Sequence, residues 1–284
     1  MPKPSLPALS AALFSGLLAG APVRAEPVAP SPPFTGLVVF GDSLSDSGNA
    51  GRFTDGPVWV EHLARRIGVT LLPSRLGGTN HAVGGARAQG GPDGLRAQAD
   101  RFLAARRGGL DPRALYIVYG GGNDLLAAGG APDQPALVRA AATAVSGIVA
   151  DLAAAGASDI LVPNLPDIGL TPALRAAGPA AQAAARALTR AYNAALEAEL
   201  ARVAAGHRSA RVHRLDVFAL AERVVADPAA AGFRDIRQPC RGGSSCEGML
   251  FWDDVHPTTL AHARLAAAAI AVLGDLGEVA GRDG

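Results

Sequence analysis

Two spacings of apolar residues alternate along the chain. Leu37–Phe40, Leu115–Tyr119 and Asp159–Val162, with a weaker stretch at Val212–Leu215, are short runs of large aliphatic and aromatic side chains. Runs this short, without a consistently polar face, predict strands buried on both sides. Between them, apolar residues recur at helical spacing over Trp59–Ile67, Leu95–Arg106, Pro135–Ala155, Pro179–Ala205 and Thr259–Val272. Strands alternating with helices predict an α/β fold, a parallel sheet covered by helices. Such sheets bind ligands outside the carboxyl ends of their strands, where the polar motifs of this sequence fall. Val69–Gly94 reads mostly as loop, with one short strand near His81–Val83, and Ala219–Gly248 carries no clear element beyond a short helix.

The N-terminus changes the picture of where the fold works. Lys3 gives a positive start, an apolar stretch covers Ala8–Ala19, and small residues stand at Val23 and Ala25. That order predicts a secretory signal peptide, residues 1–25, cleaved after Ala25. Residues 26–284 are then expected to form a single catalytic domain, secreted or periplasmic and monomeric. No Cys stands near Gly20 to take a lipid anchor. The sequence ends at Gly284, soon after the last helix, so no further membrane barrel and no stable membrane anchor are expected.

Composition removes several classes of function. Lys3 is the only lysine, so a processed protein has none for Schiff-base chemistry. The net charge is +1, and no basic stripe with interleaved aromatics speaks for nucleic acid. The two cysteines, Cys240 and Cys246, flank a glycine-rich loop and are expected to pair in an oxidising compartment.

The candidate chemistry begins at FGDSLSDSGN, directly after the first strand. A serine at a strand-to-helix turn is exposed at the sheet edge beside backbone N–H groups. Ser43 is the first such serine, with Ser45 and Ser47 as competitors, and Asp42, Ser43 and Ser45 also suit the capping of a helix N-terminus. Among the six histidines, His256 stands out because FWDDVHPT sets two carboxylates just before it and a proline just after. Pro257 keeps His256 out of helical geometry. Either Asp253 or Asp254 is then able to orient the ring, and the three-residue spacing suits Asp253. NHAVGG and GGND supply backbone N–H groups at Gly84 and Gly85 and a side-chain amide at Asn123, donors of the kind that hold an oxyanion. A two-metal site of Asp42, Asp46, Asp124, Asp253 and His256, with His81 added, is short of histidines, and no cofactor or metal is expected.

The blocks GDSLSDSGN at Gly41–Asn49, NHAVGG at Asn80–Gly85, GGND at Gly121–Asp124 and DDVHPT at Asp253–Thr258 resemble those of the GDSL, or SGNH, hydrolase family, in the family's order. The resemblance implies a three-layer α/β/α sandwich of flavodoxin-like type with about five parallel strands. It implies Ser43 as nucleophile, His256 as base, Asp253 as its orienting acid, and an oxyanion hole from the Ser43 and Gly85 N–H groups and the Asn123 side chain. The segments GRFTDGPVW and FWDDVHPTT are similar to the branch of bacterial extracellular lipases, phospholipases and hemolysin-like acylhydrolases. The implied substrate is a small-molecule or lipid ester. Transfer of the acyl group to another alcohol, and a non-catalytic surface- or carbohydrate-binding module on the same fold, are the competing readings.

Overall fold

The computed structural model describes residues 33–106, 108–243 and 245–274, so the expected leader lies outside the described residues. Four strands form the main sheet: β1 (Leu37–Gly41), β2 (Leu115–Tyr119), β3 (Asp159–Pro163) and β4 (Arg211–Leu215), in the order β1-β2-β3-β4 and all parallel. Every residue of β1, β2 and β3 is buried, which is why these runs lack a polar face. β4 differs because it is the sheet edge. It exposes Arg211 and Arg214, charges that discourage pairing with another chain.

The crossover helices supply both outer layers. On one side α1 (Trp59–Ile67) packs on α8 (Thr259–Leu273), burying Trp59, Val60, Leu63 and Ile67 along one stripe. On the other, α2 (Leu95–Ala104), α4 (Gln134–Ala154) and α6 (Pro179–Gly206) pack in succession. α4 is long and apolar enough to cross a membrane, yet its Val138, Val145, Ile148, Val149 and Leu152 are buried within the core. Two short helices, α3 (Gly122–Ala128) and α5 (Pro172–Ala176), follow the ends of β2 and β3.

The expected fifth strand is present only as a partial one. Thr79–Val83 runs beside β1: Val39 N–H donates to Thr79 O (3.0 Å), His81 N–H to Val39 O (2.8 Å) and Val83 N–H to Gly41 O (3.1 Å). Only an isolated parallel bridge, Val39 with Asn80, is regular. The outer backbone groups of Asn80 bond instead to Leu72 and Ser74, and the chain turns away at Gly84. The fold is thus the expected α/β/α sandwich with four full strands rather than five.

A second difference lies in Ala219–Gly248. There the chain forms α7 (Val217–Ala226) and a strand, β5 (Asp235–Pro239), which pairs in parallel with β6 (Met249–Phe251). β5 reads DIRQP and offers no hydrophobic alternation, so periodicity alone conceals it. Cys240 and Cys246 close a disulfide just beyond β5. The Cys240 and Arg241 N–H groups donate to Phe251 and Trp252 carbonyls, at 3.1 and 2.6 Å. Replacing both cysteines with serine is expected to lower stability by about 2 kcal/mol, the entropy of so short a loop. Urea unfolding at equilibrium checks this, and the same loss should appear in the native protein on adding reductant.

Candidate active site

Ser43 stands two residues beyond β1, on the turn that leaves the sheet. Asp42 O accepts the N–H groups of Ser45 and Asp46, both at 3.0 Å, and the Asp42 carboxylate accepts Leu44 N–H at 3.0 Å. The last residue of β1 is clamped from below, since the buried Gln98 amide accepts Gly41 N–H and donates to Gly41 O. Ser43 N–H has no partner among the described residues. The two competing serines are engaged elsewhere. Ser45 Oγ accepts Trp59 Nε1–H at 3.0 Å, and Ser47 Oγ accepts from Asn80 Nδ2 at 2.8 Å.

The remaining polar letters of the first motif build the loop itself. Asp46 has no exposed surface, and its carboxylate accepts the N–H groups of Gly48, Asn49, Ala50 and Gly84 at 2.6–2.9 Å. Asn49 donates to Asn80 O and Ala82 O, both at 2.8 Å. Asn80 donates back to Ser45 O at 2.8 Å. These bonds pin the Ser43 turn to the Thr79–Gly85 segment. With the Gly84 N–H spent on Asp46, the Gly85 N–H has no partner among the described residues.

Asn123 lies in the first turn of α3, and its Nδ2 donates to Ala86 O at 2.9 Å, which leaves its second amide hydrogen unspent. α3 starts where it does because Gly121, at φ +105°, packs on Tyr192. A Cβ there would stand 2.6 Å from the Tyr192 ring.

His256 approaches from the loop before α8. Its Nε2 lies 3.0 Å from Ser43 Oγ, and its Nδ1 lies 2.9 and 3.0 Å from the two oxygens of Asp253. Asp253 Oδ1 also accepts the backbone N–H groups of Val255 (2.9 Å) and His256 (2.7 Å). Burial alone would raise the Asp253 pKa, but these N–H groups and the His256 ring outweigh it and hold the carboxyl below its ordinary value. An ionised carboxylate only accepts, so Nδ1 carries the ring proton and Nε2 presents its lone pair to the Ser43 O–H. Asp254 is exposed, and among the described residues only its backbone oxygen is engaged, by Ala173 N–H.

The other histidines are elsewhere. His81 stacks on Phe40, His213 pairs with Asp159, and His62 bonds Thr259. His262 is buried in α8, and neither ring nitrogen has a partner among the described residues. Among the described residues, no three His, Cys, Asp or Glu side chains form a metal-ligand set.

Phe53 is a site residue that the sequence analysis missed. Its ring lies 5.1 Å from that of His256 and packs so closely on Gly84 that a Cβ there would stand 2.3 Å from it. The loop holding Phe53 is bound to α8, because Thr259 N–H donates to Asp55 (2.7 Å) and Thr259 Oγ1–H to Pro57 O (2.8 Å). The GRFTDG segment carried the signal only as a string of letters, since the contacts join residues about 200 positions apart.

Ser43, Gly85, Asn123 and His256 border one cavity of about 360 Å³. A hydroxyl beside an imidazole lone pair, with unspent N–H donors across the same space, is suited to attack on a carbonyl.

The chain also resembles known proteins over most of its length. The model of the family described as GDSL-like Lipase/Acylhydrolase matches residues 37–269. The chain is 28% identical over 308 residues to a phosphatidylcholine-sterol acyltransferase of Aeromonas hydrophila, covering 83% of this chain and 89% of that one. It is 32% identical over 309 residues to esterase EstA of Pseudomonas putida, covering 84% of this chain and 46% of that one. Lipase 1 of Photorhabdus luminescens is 37% identical over 150 residues, 49% of this chain and 23% of its own. The chain thus spans less than half of the lipase and of EstA. Among solved structures, an acetylxylan esterase of Geobacillus stearothermophilus, Axe2, shares the fold at a TM-score of 0.53 and 17% identity, covering 87% of this chain and 97% of that one.

Asp42, beside Ser43, gives this site a pH signature. Burial pushes its carboxyl up to about 7, helped by the charge of Asp124 and opposed by the Leu44 N–H. The folded protein therefore keeps a proton that the unfolded chain releases near the ordinary value of 3.8, and the stability this contributes is lost as pH rises towards about 7. Melting temperatures at pH 4.5 and 7.5 test this: the change between them should show a smaller loss on the alkaline side in Asp42→Asn than in the unmodified protein.

Proposed function

The chain belongs to the GDSL-like lipase/acylhydrolase family, and from that membership we propose that it hydrolyses carboxylic esters through an acyl-enzyme on Ser43. The observation that carries the reading is the continuous Asp253–His256–Ser43 chain of contacts at 2.9–3.0 Å, bordering the same cavity as the unspent donors.

In this reading His256 Nε2 takes the Ser43 proton as Oγ attacks the ester carbonyl. Asp253, ionised and already bonded to Nδ1–H, stabilises the imidazolium. The Ser43 and Gly85 N–H groups and the Asn123 amide receive the oxyanion. The imidazolium then gives its proton to the departing alcohol, and water, activated by the same His256, cleaves the acyl-enzyme. Phe53 packs beside the ring and limits its swing.

A second reading has a specific observation behind it: the Aeromonas hydrophila relative, matched over most of its length, is called an acyltransferase. Transfer uses the same acyl-enzyme, with an alcohol in place of water. Product analysis with an added long-chain alcohol separates the two, since ester appearing in excess of free acid favours transfer. We further propose that the protein is exported. The N-terminal pattern and the Cys240–Cys246 disulfide support this, and the exported form should have the mass of a chain beginning at Glu26.

Exposure to a fluorophosphonate followed by peptide mapping should place the adduct on Ser43. Ser43→Ala and His256→Ala should each lower kcat by about four orders of magnitude or more, and the double variant should be no worse, because the two groups act as a unit. Asn123→Ala should cost about 10²–10³ in kcat, the value of one oxyanion donor. An adduct on Ser45 or Ser47, or full turnover by folded Ser43→Ala, would overturn the assignment.

A further inference from the structure

The cavity beside Ser43 extends far beyond what ester chemistry needs. Its far walls come from α7, the segment just before β5, β6 and α8, through Leu220, Val224, Phe233, Phe251 and Leu265. Val224, Phe233, Phe251 and Leu265 are each less than 10% exposed, yet each borders this space. At the rim the apolar character continues to the surface, where Leu126 and Val225 border the cavity at 43% and 40% exposure.

The charged groups along the far walls are engaged rather than free. Asp167 is ion-paired with Arg186 and accepts Gly169 N–H at 3.0 Å, and Arg264 Nε–H donates to Ala231 O at 2.8 Å. His262 is held uncharged, because burial drives its pKa down to about 3. It borders the cavity in that neutral form.

Resting on the ester-hydrolase reading above, we propose that this cavity holds the acyl chain of the substrate, and that the preferred esters carry medium-length aliphatic acids rather than acetate. The acyl side is assigned rather than the alcohol because only the acyl group stays bound to Ser43 between the two steps. A chain seated among Val224, Phe233 and Leu265 keeps the acyl-enzyme carbonyl against its donors while water arrives, whereas an alcohol buried there would be slow to leave. Taking a methylene to fill as much space as a water molecule in the liquid, ~30 Å³, the 360 Å³ shared with the reacting ester accommodates on the order of ten carbons. The sugar acetates implied by the name of Axe2 would leave this apolar space unused.

The test uses the full processed chain and p-nitrophenyl esters from acetate to palmitate, below their aggregation limits. kcat/KM should rise at least tenfold from acetate to octanoate, bounded by about fourfold per buried methylene, and level off near ten carbons. A parallel series of alkyl acetates, in which only the alcohol lengthens, should stay flat. Ala221→Phe, which projects a ring from α7 into the cavity, should lower the octanoate-to-acetate ratio at least tenfold. Acetate as the best substrate, or a length dependence confined to the alcohol series, overturns the proposal even if Ser43 is labelled by fluorophosphonate. Absence of both labelling and turnover of every ester would remove the hydrolase reading and this inference together.

Discussion

Asp46 lies with no exposed surface between two segments that sequence separates by more than thirty residues, and its two oxygens accept four backbone N–H groups. Three of these belong to the loop after Ser43, and the fourth is Gly84. A buried carboxylate is tolerated only when its lone pairs are satisfied, so folding has to bring Gly84 to this point. Once it does, Gly85 borders the same cavity as Ser43, and the Phe53 ring packs on Gly84 and lies 5.1 Å from the His256 ring. The placement of the Ser43 turn beside Gly85 thus hangs on a residue that itself does not border the cavity.

The sheet and most of its helices were legible because burial on both faces demands uninterrupted apolar runs, and β1, β2 and β3 are such runs. Elements held by other means were not. β5 is polar and owes its position to backbone bonds, to β6 and to the neighbouring disulfide. The fifth strand was readable at His81–Val83, but Asn80 spends its outer backbone groups on Leu72 and Ser74 and keeps it from growing.

At the site, residue types narrowed the candidates and contacts separated them. Ser43, Ser45 and Ser47 are alike in sequence; Trp59 and Asn80 occupy the latter two, and neither partner is visible from local spacing. The same holds for Asp253 and Asp254. Three-residue spacing favoured Asp253, and its carboxylate gathers two backbone N–H groups as well as the ring, while Asp254 faces solvent. In sequence Asp46 reads as a candidate metal ligand, and Asn49 and Asn80 as letters of recognised motifs, because gathering backbone groups from distant segments leaves no local signal.

The cavity walls have a different standing in the fold from the strand ends. Val224, Phe233 and Phe251 are buried, yet they lie outside the main hydrophobic cluster that packs the sheet. A change in the size of Val224 or Phe233 falls first on the cavity and not on the cluster that packs the sheet. The scaffold is therefore divided: α7, Phe233 and β6 shape the space beside Ser43, while the strand ends that carry the polar groups belong to a separately packed core.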